Sequence, residues 1–415
     1  MFANTKRWPL PAHPNRGAGV RPLLALAIGA LLAGSAVAQV PARGITEDGP
    51  VVREYPAHTD AERKRIKKNL STGVTIPYWT RDVTSPIDGK TYPMSMVGST
   101  PFRKNPQSIT VRYLPIALKV NVQTDKGIVV QDPMKPGCQD TVPVVDRFMQ
   151  SPMFVPVPFS VNGVDVTAGV GGSGQFATIF QRANFWGEVA KSNPAGNDWH
   201  LNLKSSVKAP IQEEITVSGT VREFACGDGV GTVGRVPMTE FKPKILEILK
   251  KYASPKQAIF ILTYNVVQKK NDFTILGFHD AIPIGDDVQT YAVSGYYDAA
   301  AYSTGWRLAD IESWIHEYIE WVNDPFAIVS PQPFPSSNRT PAWGAPHYCS
   351  DYLEPGDVIP GGNKDPYPIT GANGYVYHFR DSAFYQWFYR LPTTAAGGKY
   401  SMMGTLTNYQ ENICQ

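Results

Sequence analysis

Residues 310–324 read DIESWIHEYIEWVND. Ile311, Ile315, Ile319 and Val322 recur at helical spacing and predict an amphipathic helix. His316 and Glu320 stand four residues apart, which puts an imidazole and a carboxylate on one helix face. Glu317 follows His316 and lies about 100° further round. The order H-E-x-x-E has the layout of an H-E-x-x-H zinc site with Glu in place of the second His. Glu312, His316 and Glu320 form a stripe that carries no Lys or Arg. If that stripe is half buried its acids need a cation, and a divalent metal would supply one. The competing expectation is a surface helix whose acids are solvated.

On the metal reading, His316 and Glu320 are ligands. Glu317 stays off the metal and takes a proton from water whose pKa the metal lowers. A third ligand is expected from residues 345–357, APHYCSDYLEPGD, which offer His347, Asp351, Glu354 and Asp357. Glu354 is the preferred one, and the other three stay open. One imidazole with two carboxylates is a hard donor set, so Mn2+ or Ca2+ stand beside Zn2+ as the expected ion. His279 reads as a structural hydrogen-bonding His that could also line the cleft.

Working outward, three apolar runs precede the helix: Ala258–Val267, Thr274–Ile282 and Thr290–Asp298. Three strands and then a metal-bearing helix is the order of a zincin-type metallopeptidase, with an edge strand above the cleft. Further upstream, Ser108–Val122, Met153–Val161, His200–Leu203 and Glu214–Phe224 read as strands, and Gln175–Ala190 and Thr239–Ala253 as helices. The 36 Pro, 36 Gly and 11% aromatic residues predict many turns and short strands. The expected class is α+β: a zincin-like mixed sheet with an active-site helix, plus a β-rich N-terminal part. Pro325 ends the helix, Gly169–Gly174 reads as a turn, and Ser382–Tyr389 as aromatic core.

Lys6, Arg7, Arg16 and Arg21 precede the apolar run Leu23–Leu32, and Ala36-Val37-Ala38 follows as a cleavage site. Residues 1–38 are therefore expected to be a signal peptide, 39–75 an arm with a short helix over Asp60–Asn69, and 76–415 one globular unit. That unit divides into a β-rich part, 76–235, and a site-bearing part, 236–415. The chain has 39 Lys+Arg against 36 Asp+Glu, a net charge of +3. Taking away the leader's four basic residues leaves 35 against 36, so nucleic acid is not an expected partner. The cluster Arg63–Lys68 reads as a solvated helix face. Cys138, Cys226, Cys349 and Cys414 suit two disulfides in an exported protein, paired 138–226 and 349–414.

The run HEYIEWVNDP, residues 316–325, resembles the H-E-x-x-E-x-x-[TN]-[DN]-P pattern of exported bacterial proteins with a zincin-like domain. It is also similar to a segment of the plant phosphate-induced, EXORDIUM-like proteins. GFHD at 277–280, the Tyr-rich strand ending at Asp298, FQRANFW at 180–186 and LEPGD at 353–357 extend the resemblance over roughly residues 100–360. It implies a zincin-like fold, with Glu in place of the second His as a family trait. The expected function is an exported metal-dependent hydrolase, most simply a metallopeptidase acting on peptide or cell-surface polymer. No membrane segment is expected after signal removal. The alternative is a non-catalytic extracellular binding protein that keeps the scaffold.

Overall fold

A computed structural model describes residues 58–87, 89–191, 197–271, 273–302, 308–327, 353–357, 359 and 366–409, and the backbone of 45–46, 49–50, 340–341 and 349–350. The expected signal peptide and the Cys349–Cys414 pairing lie outside what it describes.

Helix α1 spans Asp60–Thr72. The main sheet is built from β1 (Ile109–Thr124), β2 (Gly127–Gln131), β3 (Leu201–Ser205), β4 (Ile211–Ser218), β5 (Gln257–Tyr264), β6 (Gly277–Ile284) and β7 (Asp287–Tyr296). Three more helices pack around it: α2 (Phe176–Asn184), α3 (Met238–Lys251) and α4 (Glu312–Asn323). The strand order is β4-β1-β5-β7-β6, with β2 and β3 also paired to β1. The β4, β3 and β5 pairings with β1 are parallel, as is β5 with β7. The β6–β7 and β1–β2 pairings are antiparallel, so the sheet is mixed. Edge strand β6 is antiparallel to its neighbour and carries His279.

The strands are apolar on both sides because both faces are covered. On one face, Phe241, Ile245, Ile248 and Leu249 of α3 pack on Ile116, Leu118, Ile259, Ile261 and Val293. On the other face, α2 and α4 share a core with Val111, Tyr113, Phe260, Leu262 and Ala292. Phe260 of β5 meets Trp314, Tyr318 and Trp321 of α4, each edge-on, with centroids 5.9, 6.1 and 5.0 Å away. Burying each such ring contributes about 1.5–3 kcal/mol. Here the tightest contacts fix α4 across the sheet.

Several runs expected as single strands divide between two sheets. The run over 214–224 breaks at Gly219, between β4 and Thr220–Cys226 of a four-stranded sheet. A Cβ at Gly219 would meet the Arg235 carbonyl oxygen at 2.5 Å. Ala258–Val267 breaks at Asn265, whose φ of 48° turns the chain from β5 into Val266–Lys270 of that second sheet. Thr274–Ile282 breaks at Leu276, between Phe273–Ile275 and β6. Met153–Val161 is mostly irregular, with an isolated bridge from Val157 to Gly174 and a strand only at Ser160–Val161; Pro156 and Pro158 have no N–H to give a ladder. The helix expected over 175–190 stops at Asn184, and a short turn, Trp186–Val189, follows.

Arg182 in the FQRANFW run is fully buried. Its guanidinium donates to the carbonyls of Val166, Ala168, Asn197 and Trp199 at 2.5–2.9 Å. Burial lowers it to about 10. This run therefore ties loops together beside α2. Cys138 and Cys226 are disulfide-bonded, as expected. Residues 169–172 form turns, with Gly169, Gly171 and Gly172 at positive φ, and Gly174 bridges to Val157. Tyr385–Phe388 is a short buried helix in an aromatic cluster. Among the described residues, no helix is long and apolar enough to cross a membrane.

Candidate metal centre

All twelve residues of α4 are buried, acids included. The solvated-helix expectation therefore fails. The helix is entered through Asp310, whose φ of 42° turns the chain and whose carboxylate accepts from the Ile311 N–H. His378 also meets this carboxylate at 2.6 Å, and that hydrogen bond raises His378 above its ordinary value. The helix ends where Asp324 N–H donates to the Glu320 carbonyl at 2.7 Å and Pro325 follows. Glu312 does not need a metal: Arg380, from the C-terminal part of the chain, pairs with it.

His316 is 0% and Glu320 1% exposed. His316 Nε2 lies 2.7 Å from Glu320 Oε1 and 3.2 Å from Asp357 Oδ1. These three residues offer ligand atoms within 4.8 Å of one another. The loop that brings Asp357 is anchored by Gly356, whose N–H donates to Glu320 Oε1 at 3.2 Å. A Cβ at Gly356 would sit 2.0 Å from His316 Nδ1, so only glycine lets this backbone lie on the ring.

Glu317 turns toward β6, beside Glu320. Gly277 makes room there, since a Cβ at that position would meet Glu317 Cγ at 2.6 Å. Ser294 and Ser313, joined at 2.9 Å, keep β7 and α4 close. His279 reaches in from β6, with Nδ1 3.8 Å from Glu317 Oε2 and 3.9 Å from Glu320 Oε2. Its Nε2 meets the Asp324 carbonyl oxygen at 3.0 Å. Burial pushes His279 down to about 4, so the ring is neutral at physiological pH.

Glu354 is also buried at the cluster. Burial first, then the charges of Asp357, Glu317 and Asp324, push its carboxyl well above the usual range, and its polar neighbour is the Glu320 carboxyl. Neither Glu354 oxygen has a hydrogen-bond donor among the described residues. An orphaned carboxyl beside a second carboxyl fits a cation: buried acids require a proton or a positive ion between them. Imidazole with carboxylates is a donor set for Zn2+ or Mn2+.

The structure thus brings His316, Glu317, Glu320, Glu354 and Asp357 together. The ligand atoms grouped around His316 are those of Glu320 and Asp357, with Glu354 alongside; His347 and Asp351 lie outside the described residues. His279 carries more weight than its sequence reading gave it. Its signal was strand alternation: Gly277, His279 and Ala281 share the face of β6 that meets α4. Comparison of the chain with protein-family models, curated proteins and solved structures found no match.

Proposed function

We propose that the protein is an exported, metal-dependent hydrolase of zincin type, most simply a peptidase. One observation carries the reading: imidazoles from β6 and α4 converge with four carboxylates inside the core, at most 3% exposed. His316, Glu320 and Asp357 would hold a Zn2+ or Mn2+ ion, with Glu354 able to join them. Such an ion supplies positive charge that acidifies water and polarises a substrate carbonyl. Glu317 accepts the proton from that water, and the edge strand β6 beside it suits an extended chain of peptide or cell-surface polymer. The Cys138–Cys226 disulfide is in keeping with an oxidising compartment. The near-complete burial of the cluster favours a second reading, in which the ion serves the fold of a non-catalytic extracellular binding protein.

The test combines metal content with cleavage of labelled casein by the purified mature protein. Wild type should hold metal and cleave; His316→Ala should lose the ion at that position. Glu317→Gln should keep the ion at His316 and cleave at least about 100-fold more slowly. Equal metal content in wild type and His316→Ala would contradict the site. Undiminished cleavage by Glu317→Gln would contradict its role. A metal-bearing wild type that cleaves nothing would favour the binding protein.

A further inference from the structure

Glu320 presents its two oxygens to two different imidazoles. Oε1 lies 2.7 Å from His316 Nε2, and Oε2 lies 3.9 Å from His279 Nδ1. Glu317 Oε2 stands 3.8 Å from the same Nδ1. His279, Glu317 and Glu320 thus make a second group of donors within 4.8 Å, sharing Glu320 with the first.

The far side of the His279 ring shows what this second group is arranged for. Its Nε2 lies 3.0 Å from the Asp324 backbone oxygen, which can only accept a hydrogen bond. Nε2 therefore carries the hydrogen, which leaves Nδ1 as the ring atom that would bind an ion. Both carboxylate oxygens lie on the Nδ1 side of the ring. An imidazole nitrogen and two carboxylate oxygens grouped in this way are donors that a divalent cation takes. A remote N–H held by a backbone carbonyl is also the arrangement that metal-ligating imidazoles usually have.

We propose that His279, Glu317 and Glu320 form a second divalent-cation subsite beside His316, with the Glu320 carboxylate spanning the two. The proposal rests on the metal reading of the His316 group and deepens it to a two-ion centre. Ligands bonded to one ion at about 2.1 Å lie roughly 3–4 Å apart, and the 3.8 and 3.9 Å separations fall in that span. Paired ions in hydrolytic sites sit about 3.5–4 Å apart, a distance one carboxylate covers with its two oxygens. Glu354, buried with no donor on either oxygen, lies beside the shared Glu320 carboxylate. The mixed imidazole and carboxylate donors select Zn2+ or Mn2+ over Ca2+. Glu317 meets the subsite through Oε2, which leaves Oε1 to accept the proton its hydrolytic role requires.

The test counts ions. Full-length mature protein is stripped with a chelator, loaded with Zn2+ or with Mn2+, desalted and measured by elemental analysis. Wild type should retain two ions per chain. His279→Gln, whose amide can still donate to the Asp324 carbonyl, should retain one, halving the metal content while circular dichroism stays unchanged. One ion in both proteins would overturn the second subsite and leave the His316 site standing. None in wild type would overturn both. Two in both would place the second ion elsewhere and overturn the proposal. If His279→Gln fails to fold, Glu317→Ala, which removes another donor of the same group, takes its place: one retained ion supports the subsite, and two refute it.

Discussion

At Gly356 the loop backbone lies against the His316 ring, and the hydrogen in place of a side chain makes that contact possible. The same residue's N–H steadies Glu320 Oε1. A methyl group here would overlap Nδ1, so either the ring or the loop that carries Asp357 must move. Overpacking a buried site costs about 1–3 kcal/mol. Gly356→Ala should therefore lower unfolding stability by about that much and reduce metal retention, read by urea denaturation and elemental analysis. Full stability with full metal content would mean that the loop does not hold the ring. Glu317 shows the same dependence on a missing side chain, at Gly277. These glycines look like ordinary loop and strand residues in the sequence; only the close approach of another element shows why they have no side chain.

At the scale of elements, α1 is held to the edge of the sheet by specific bonds. Thr59 and Glu62 cap it reciprocally, and Ile66 packs with Ala281, Val288 and Phe326. Asn69 donates to the Gly285 and Asp287 carbonyls at 3.1 Å. His58 Nε2 meets Asp280 Oδ1 at 2.5 Å, one residue along β6 from His279. Burial pulls His58 down, but the hydrogen bond and charge of Asp280 outweigh it, and the net shift is upward from 6.5. A raised folded value means that the contribution is fully present below about pH 6.5 and is lost as pH rises through the folded value. A charge-assisted bond is worth roughly 1.5–3 kcal/mol. The stability difference between wild type and His58→Ala should thus be larger at pH 5.5 than at pH 8, measured by urea unfolding. An equal difference at both would remove the protonated His58–Asp280 pair from the account. The helices were the easier elements to read, because α3 and α4 keep their apolar period throughout. The strands misled where chain segments stay apolar while changing sheet, as at Gly219, Asn265 and Leu276. Nothing in a continuous apolar run marks which sheet it pairs with.

At the scale of the molecule, the fold places an edge strand, a buried helix and a loop around one cluster of acids and imidazoles. The pair His316 and Glu320 was legible from four-residue spacing. The presence of acids in the 345–357 loop was legible too. Which acid faces His316, and that His279 joins from β6, depend on tertiary contacts that no local period encodes. The central claim is that a divalent cation is held by imidazole and carboxylate with no sulfur. The most direct measurement is the X-ray absorption spectrum, at the metal edge, of the zinc-loaded protein. A shell of nitrogen and oxygen at about 2.0–2.2 Å with the imidazole outer-shell signature, both diminished in His316→Ala, is the predicted result. A sulfur shell near 2.3 Å, or a zinc spectrum unchanged in His316→Ala, would contradict it.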